Sequence, residues 1–328
     1  MVSAVVRRVS LGALLLAIGA LGLCAVSLRG GVAERAPLPV SWLPAVVRQG
    51  QAVVVVVGPE ETPRSPAESV VAVRGTLAGE PLRFERGPDG RFRALGAVPV
   101  SAGPTVLLPL VVVRAGGDTA PQSARLPVVR GDFEIVSLRL ADTMIKPPES
   151  ERPRIEAERR ALRQALARTA ATPRLWREPF ELPLEGRITD PFGTRRRLAP
   201  DVESRHLGLD LAGRPGTPVR AANRGVVVAA NSFYFQGNAV YLDHGAGLVT
   251  SYLHLSRILV SPGDTVEAGQ VIGLVGATGR VTGPHLHWTA TFGKVLFDPA
   301  TLLAEEVAQF GQLAAPEGAA SRVSPSPG

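Results

Sequence analysis

Cysteine is almost missing: Cys24 is the only one in 328 residues, and it sits inside an N-terminal apolar run. The chain beyond that run can therefore form no internal disulfide and no cysteine-ligated metal site, so any metal must be held by His, Asp or Glu. Lysine is nearly as scarce. Lys146 and Lys294 are its only two, and the net charge of +7 comes almost wholly from arginine. A cationic chain is drawn to polyanions such as nucleic acid, anionic lipid or an acidic wall polymer. Abundant Arg, Ala, Gly, Pro and Val beside so little lysine reads instead as compositional bias, and no basic run is interleaved with aromatics, which argues against nucleic acid as a partner. Histidine is missing from the first 205 residues; His206, His244, His254, His285 and His287 all follow. The chemistry belongs to the C-terminal part.

What is there is long enough for two domains with connecting segments. Residues 1–33 open with Arg7 and Arg8, continue uncharged over 9–28 and reach Arg29-Gly30-Gly31-Val32-Ala33. These are the parts of a signal peptide, and the run at 9–28 is also long enough for an uncleaved membrane anchor. Leu21-Gly22-Leu23-Cys24 has the outline of a lipoprotein cleavage box but lacks a small residue before the cysteine. Every version places the bulk of the protein outside the cytoplasm, in the periplasm or cell envelope.

The expected fold is mainly β. Residues 34–146 carry short valine-rich runs at 53–57, 70–73, 107–113 and 133–140, with a turn at Gly87-Pro88-Asp89-Gly90. That spacing suggests an immunoglobulin-like β-sandwich, and the stretch has no histidine and no clustered carboxylates to make a site. Residues 147–178 change period: Ser150 can cap a helix, Pro153 suits its first turn, and Ile155, Leu162, Ala165, Leu166 and Thr169 form one stripe. An exposed linker helix is the simplest reading; a helix lying across a catalytic groove is the other. Residues 179–304 return to short strands and glycine turns as a second β domain. Residues 305–328 read as a disordered tail, with almost nothing apolar after Ala314.

Two features of this second domain carry chemistry. In Gly283-Pro284-His285-Leu286-His287-Trp288 the histidines are two apart, so on a strand they share a face. In His206-Leu207-Gly208-Leu209-Asp210 a histidine and a carboxylate flank a glycine that permits a bend. Catalytic zinc takes three protein ligands and leaves one position open, and His206, Asp210 and one histidine of the later pair can supply three. The histidine left over and His254 are then available to accept a proton and stabilise an oxyanion. Alternation along Thr250-Ser251-Tyr252-Leu253-His254-Leu255 puts Tyr252 and His254 on one face, while Asp243-His244-Gly245-Ala246-Gly247 reads as a hairpin turn with a structural histidine.

These stretches resemble the lysostaphin/LytM-type zinc metallopeptidases, which cut peptide cross-links in bacterial peptidoglycan. Ile188-Thr189-Asp190-Pro191-Phe192-Gly193, Gly216-Thr217-Pro218-Val219-Arg220-Ala221 and Gly237-Asn238-Ala239-Val240 are similar as well, so the resemblance covers residues 183–300. It implies a two-layer antiparallel β-sheet with a narrow groove over Zn2+. It further implies His206, Asp210 and His287 as metal ligands, with His254 and His285 as catalytic partners. Some members place a tyrosine upstream of the first ligand, and Phe192 to Arg205 contains none. Gly263-Asp264-Thr265-Val266-Glu267-Ala268-Gly269-Gln270 is similar to the hairpin of biotin and lipoyl carriers, but no lysine lies between Lys146 and Lys294 to be modified. The competing function is a non-catalytic wall-binding regulator of other hydrolases; such proteins have lost metal ligands, and this chain keeps all three.

Overall fold

The computed structural model describes residues 36–58, 65–137, 147–199 and 202–313. The apolar run 9–28 with Cys24 lies outside them, as does the tail from 314 on. Among the described residues no helix is long and apolar enough to cross a membrane.

The N-terminal strands are β1 (Val40–Leu43), β2 (Val47–Arg48), β3 (Ala52–Val57), β4 (Val70–Leu77), β5 (Glu80–Pro81), β6 (Glu85–Arg86), β7 (Phe92–Ala97), β8 (Thr105–Arg114) and β9 (Thr119–Val129). They make one sheet ordered β1-β3-β7-β6 and another ordered β2-β9-β8-β4-β5, in the stretch expected to form the sandwich. Then come β10 (Ile135–Ser137) and helix α1 (Arg152–Arg168). The C-terminal strands begin with β11 (Ile188–Asp190), β12 (Arg195–Ala199), β13 (Val202–Arg205), β14 (Leu209–Ala212), β15 (Pro218–Arg220) and β16 (Gly225–Phe233). They continue with β17 (Gly237–Gly245), β18 (Leu248–Ile258), β19 (Thr265–Val266), β20 (Val271–Val275), β21 (His285–Phe292) and β22 (Val295–Phe297), and a short helix α2 (Glu305–Gly311) follows. The large sheet runs β11-β14-β21-β18-β17-β16-β19, with β20 joining β15 to β18.

Burial patterns explain how these parts meet. Strand β8 alternates, with Leu108, Leu110 and Val112 inward, as a sheet with one wet face should. Strand β3 does not alternate; every residue of Ala52–Val57 is buried. Its second face is covered by α2, which packs on β3 and β7, and Ala52 donates its N–H to Thr301 Oγ1 at 3.1 Å. Residues 305–313 are therefore part of the folded unit, contrary to the tail expected from 305. Val307 and Phe310 are only two apolar side chains, too few to register in the sequence, but both are buried.

One apolar cluster runs from Val55 and Leu110 through Trp176 and Phe310 to Leu211, Trp288 and Phe297. The described residues from Pro37 on accordingly form one compact unit. Arg174 helps to tie it: its guanidinium donates to both Glu85 carboxylate oxygens and to the carbonyls of Trp176, Gly311 and Leu313. Helix α1, expected as an exposed linker, is exposed over most of its surface but rests one stripe on the large sheet. Leu162 and Leu166 pack onto Phe233, Tyr241, Val249 and Leu253 of the large sheet. Its cap differs too, since Ser150 lies within a 3-10 turn, Glu149–Glu151, just ahead of the helix.

Candidate metal centre

Strand pairing places the central residues. Strands β14 and β21 are antiparallel with Asp210 directly opposite His287, and on the other side of β21 Leu253 of β18 lies opposite the same histidine. Directly opposed residues stand about 5 Å apart at Cβ, so a carboxylate and an imidazole there meet. His206 reaches them from the turn before β14, which needs glycine at 208. A Cβ on Gly208 would lie 2.5 Å from His287 Nε2 and 2.8 Å from the Trp288 carbonyl.

The result is three ligand atoms around one point. His287 Nδ1 is 2.7 Å from Asp210 Oδ1, His206 Nε2 is 3.1 Å from the same oxygen, and His206 Nε2 is 3.0 Å from His287 Nδ1. All three side chains are mostly buried. His206 Nδ1 lies 2.9 Å from the Pro191 carbonyl, which can only accept, so Nδ1 carries a proton and Nε2 is the atom that faces the centre. Two imidazole nitrogens and a carboxylate oxygen this close can hold a cation between them. Their separations approach the ~3.3 Å edge of a tetrahedron with bonds of about 2.0–2.1 Å, so the set fits zinc and leaves a position open.

His254 and His285 stand beside this cluster, their rings 5.1 Å apart, with His254 5.8 Å from His287. Both repeat the arrangement of His206. His254 Nδ1 is 2.9 Å from the Thr278 carbonyl and His285 Nδ1 is 2.8 Å from the Gly283 carbonyl, which leaves each Nε2 free. His285 Nε2 is 3.6 Å from Asp210 Oδ1.

His254 gets there by breaking its strand. Tyr252 and Leu255 both point into the core, which needs one extra residue between them, and His254 takes φ +66. The face shared by Tyr252 and His254 in the simple alternating reading is thus corrected: the bulge turns His254 to the groove. Strand β18 also changes partners here, pairing with β21 up to Leu253 and with β20 from Leu255. A non-glycine residue held at positive φ is costly, and such strain gathers at functional sites.

Charge is finely divided. Burial opposes charging His206, but hydrogen bonds to Asp190 and Asp210 outweigh it and raise the ring to about 9. Burial works against Asp210 too, yet His206 and His287 hold its carboxyl well below the usual carboxylate range. His287 is pushed down by burial, and His254 falls to about 3 through burial and the neighbouring imidazoles.

Sequence reasoning missed a supporting pair. Arg196 bridges two carboxylates: its guanidinium reaches Asp190 Oδ2 at 2.5 Å and Asp210 Oδ2 at 3.3 Å. That occupies the outer oxygen of Asp210 and leaves Oδ1 for the histidines. The only signal was Asp190 within the Ile188 to Gly193 stretch; Arg196 is one of three consecutive arginines in an arginine-rich chain. Strand β10 pairs in parallel with β12, Val136 opposite Arg196, so the exit from the N-terminal sheets braces this strand. His244 is away from the centre. It is fully buried, with Nδ1 2.7 Å from the Arg224 carbonyl, Nε2 2.7 Å from Thr250 Oγ1, and its ring edge-on to Phe180.

The profile of Peptidase family M23 matches residues 204–299, which contain the three ligand atoms and both flanking histidines. The chain is 42% identical over 122 residues to peptidoglycan DD-endopeptidase ShyC of Vibrio cholerae, covering 37% of this chain and 28% of that one. It is 41% identical over 116 residues to DD-carboxypeptidase/endopeptidase Mpg of Neisseria meningitidis, covering 35% and 27%. The match thus spans about a quarter of the length of these curated relatives. A crystal structure described as an M23 peptidase from Pseudomonas aeruginosa aligns with a TM-score of 0.59 at 30% identity, covering 78% of this chain and 94% of that one. Coverage that wide takes in the N-terminal sheets as well as the large sheet.

Proposed function

The chain belongs to peptidase family M23, and from that premise we propose that it is a zinc-dependent endopeptidase cutting peptide bonds in bacterial peptidoglycan stem or cross-link peptides. The observation that carries this reading is the convergence of His206 Nε2, Asp210 Oδ1 and His287 Nδ1, with two further imidazoles turning free Nε2 atoms to the same groove. The named activities of the relatives support peptidoglycan as substrate.

In this reading His206, Asp210 and His287 hold the metal. Zinc supplies Lewis-acid polarisation of the substrate carbonyl and a lowered pKa for water. His254, kept neutral by burial, has its Nδ1–H on the Thr278 carbonyl and offers Nε2 as the base that takes a proton from the attacking water. As the C–N bond breaks and the C–O bond forms, that proton passes to the leaving amine. His285, oriented by the Gly283 carbonyl, lies where it can stabilise charge on the carbonyl oxygen. With no tyrosine from Phe192 to Arg205, that task falls to the histidines. Residues 179–304 are the catalytic part, 34–146 the N-terminal β module and 147–178 the connection. The substrate lies outside the cytoplasm, so the enzyme works in the cell envelope, with residues 1–33 as signal peptide or, through 9–28, as anchor.

Purified sacculi incubated with the zinc-loaded chain are expected to release new amine termini, and a chelator is expected to stop the release. Binding to sacculi with no release refutes the peptidase reading and is the result a non-catalytic regulator gives.

A further inference from the structure

Helix α1 lies outside the stretch matched by the family profile, yet it packs on the groove face of the large sheet. Alternation along β21 turns Leu286, Trp288 and Ala290 into the core and leaves His287, Thr289 and Thr291 on that face. Between α1, this face and the β4–β5 hairpin is a cavity of about 610 Å3 lined by Leu162, Leu166, Leu253, Phe292 and Leu296. His287, Leu207 and Gln236 line both this cavity and the polar one that holds Asp190, Arg196, Asp210 and His254. The two are arms of one trough that adjoin at His287.

The arms differ in chemistry. The polar arm offers two carboxylates, Arg196 and Arg280; the other offers alkyl and aromatic carbon, with Glu80, Arg83, Arg163 and Lys294 around it. Glu80 lies so near Gly293 that a Cβ there would overlap its carboxylate, and the Arg83 guanidinium donates to the Ala170 carbonyl just past α1. From His287 to Phe292 the arm runs ~17 Å at 3.4 Å per residue, room for a short extended peptide. A charged side chain seated against Leu162 and Leu166 would lose hydration there, whereas an apolar one would gain from burial.

We propose that this apolar arm is a substrate subsite for apolar side chains on one side of the scissile amide, and that helix α1 is its specificity-determining wall. This rests on the peptidase reading above. Ala167 lines the arm from an exposed position of α1, so Ala167→Trp fills the space without disturbing buried packing. Leu166→Ala enlarges it. With the zinc-loaded full chain and a defined cross-linked stem peptide, Ala167→Trp is expected to lower kcat/KM by about tenfold or more, chiefly through KM, at unchanged zinc content and Tm. Leu166→Ala is expected to raise the relative rate on a peptide carrying leucine in place of alanine. A wild type that cuts, beside an Ala167→Trp variant of equal kcat/KM, overturns the subsite and leaves the peptidase reading standing. A zinc-loaded wild type that cuts nothing overturns both.

Discussion

At the centre, His206, His254 and His285 each have Nδ1 committed to a carbonyl, and only His206 has its Nε2 within hydrogen-bond distance of other ligand atoms, so single replacements separate holding a metal from moving a proton. His287→Ala removes one of three ligand atoms; zinc content is expected to fall well below one per chain and cleavage to stop. An active, metal-replete variant would show that His287 is no ligand. His254→Ala leaves the three ligand atoms in place, so zinc should stay bound while turnover drops about 100- to 10,000-fold, checked by metal analysis beside kcat. Arg196→Ala frees Asp210 Oδ2, and chelator competition is expected to show zinc affinity about 10- to 100-fold weaker. Arg196→Lys should restore only part of it, since an ammonium lacks the planar fork that bridges Asp190 and Asp210. The residues nearest the centre were legible because two short motifs carry them. Arg196 was not, because a run of arginines in an arginine-rich chain does not distinguish the one that turns inward.

At the scale of elements, the same difference recurs between local pattern and partner. The stripe of Ile155, Leu162 and Leu166 announced an amphipathic helix, but nothing local says that its apolar side rests on Tyr241 and Leu253, more than seventy residues away in sequence. The bulge at His254 was hidden for a related reason: alternation is the default of a strand, and the extra residue becomes visible only once Tyr252 and Leu255 are both seen in the core. The tie between Arg174 and Glu85 is a third case, a buried ion pair joining segments 89 residues apart. Glu85→Ala leaves a guanidinium that is 2% exposed without its carboxylate, and denaturant melts are expected to show a loss of about 3–5 kcal/mol. No change in melting would mean that the backbone carbonyls alone satisfy Arg174.

Across the whole molecule, stability is coupled to pH through a histidine that takes no part in the proposed chemistry. His244 is neutral in its buried site because burial pushes it down to about 4 from an ordinary value of 6.5. Once unfolded it charges readily, so between about pH 6.5 and 4 the unfolded chain binds more protons than the folded one. Stability is therefore expected to fall as pH falls through that window, with His244 contributing about 3 kcal/mol. Urea titrations at pH 7 and pH 5 on the wild type and His244→Gln check this; an equal pH dependence in both would assign the effect to other groups. A different kind of robustness follows from the carbonyls of Pro191, Thr278 and Gly283. The acceptors that orient three imidazoles belong to the main chain, so no replacement of a side chain at those positions can delete them. Drift in sequence can reshape the rims of the trough while the proton pattern at its centre is inherited with the path of the backbone.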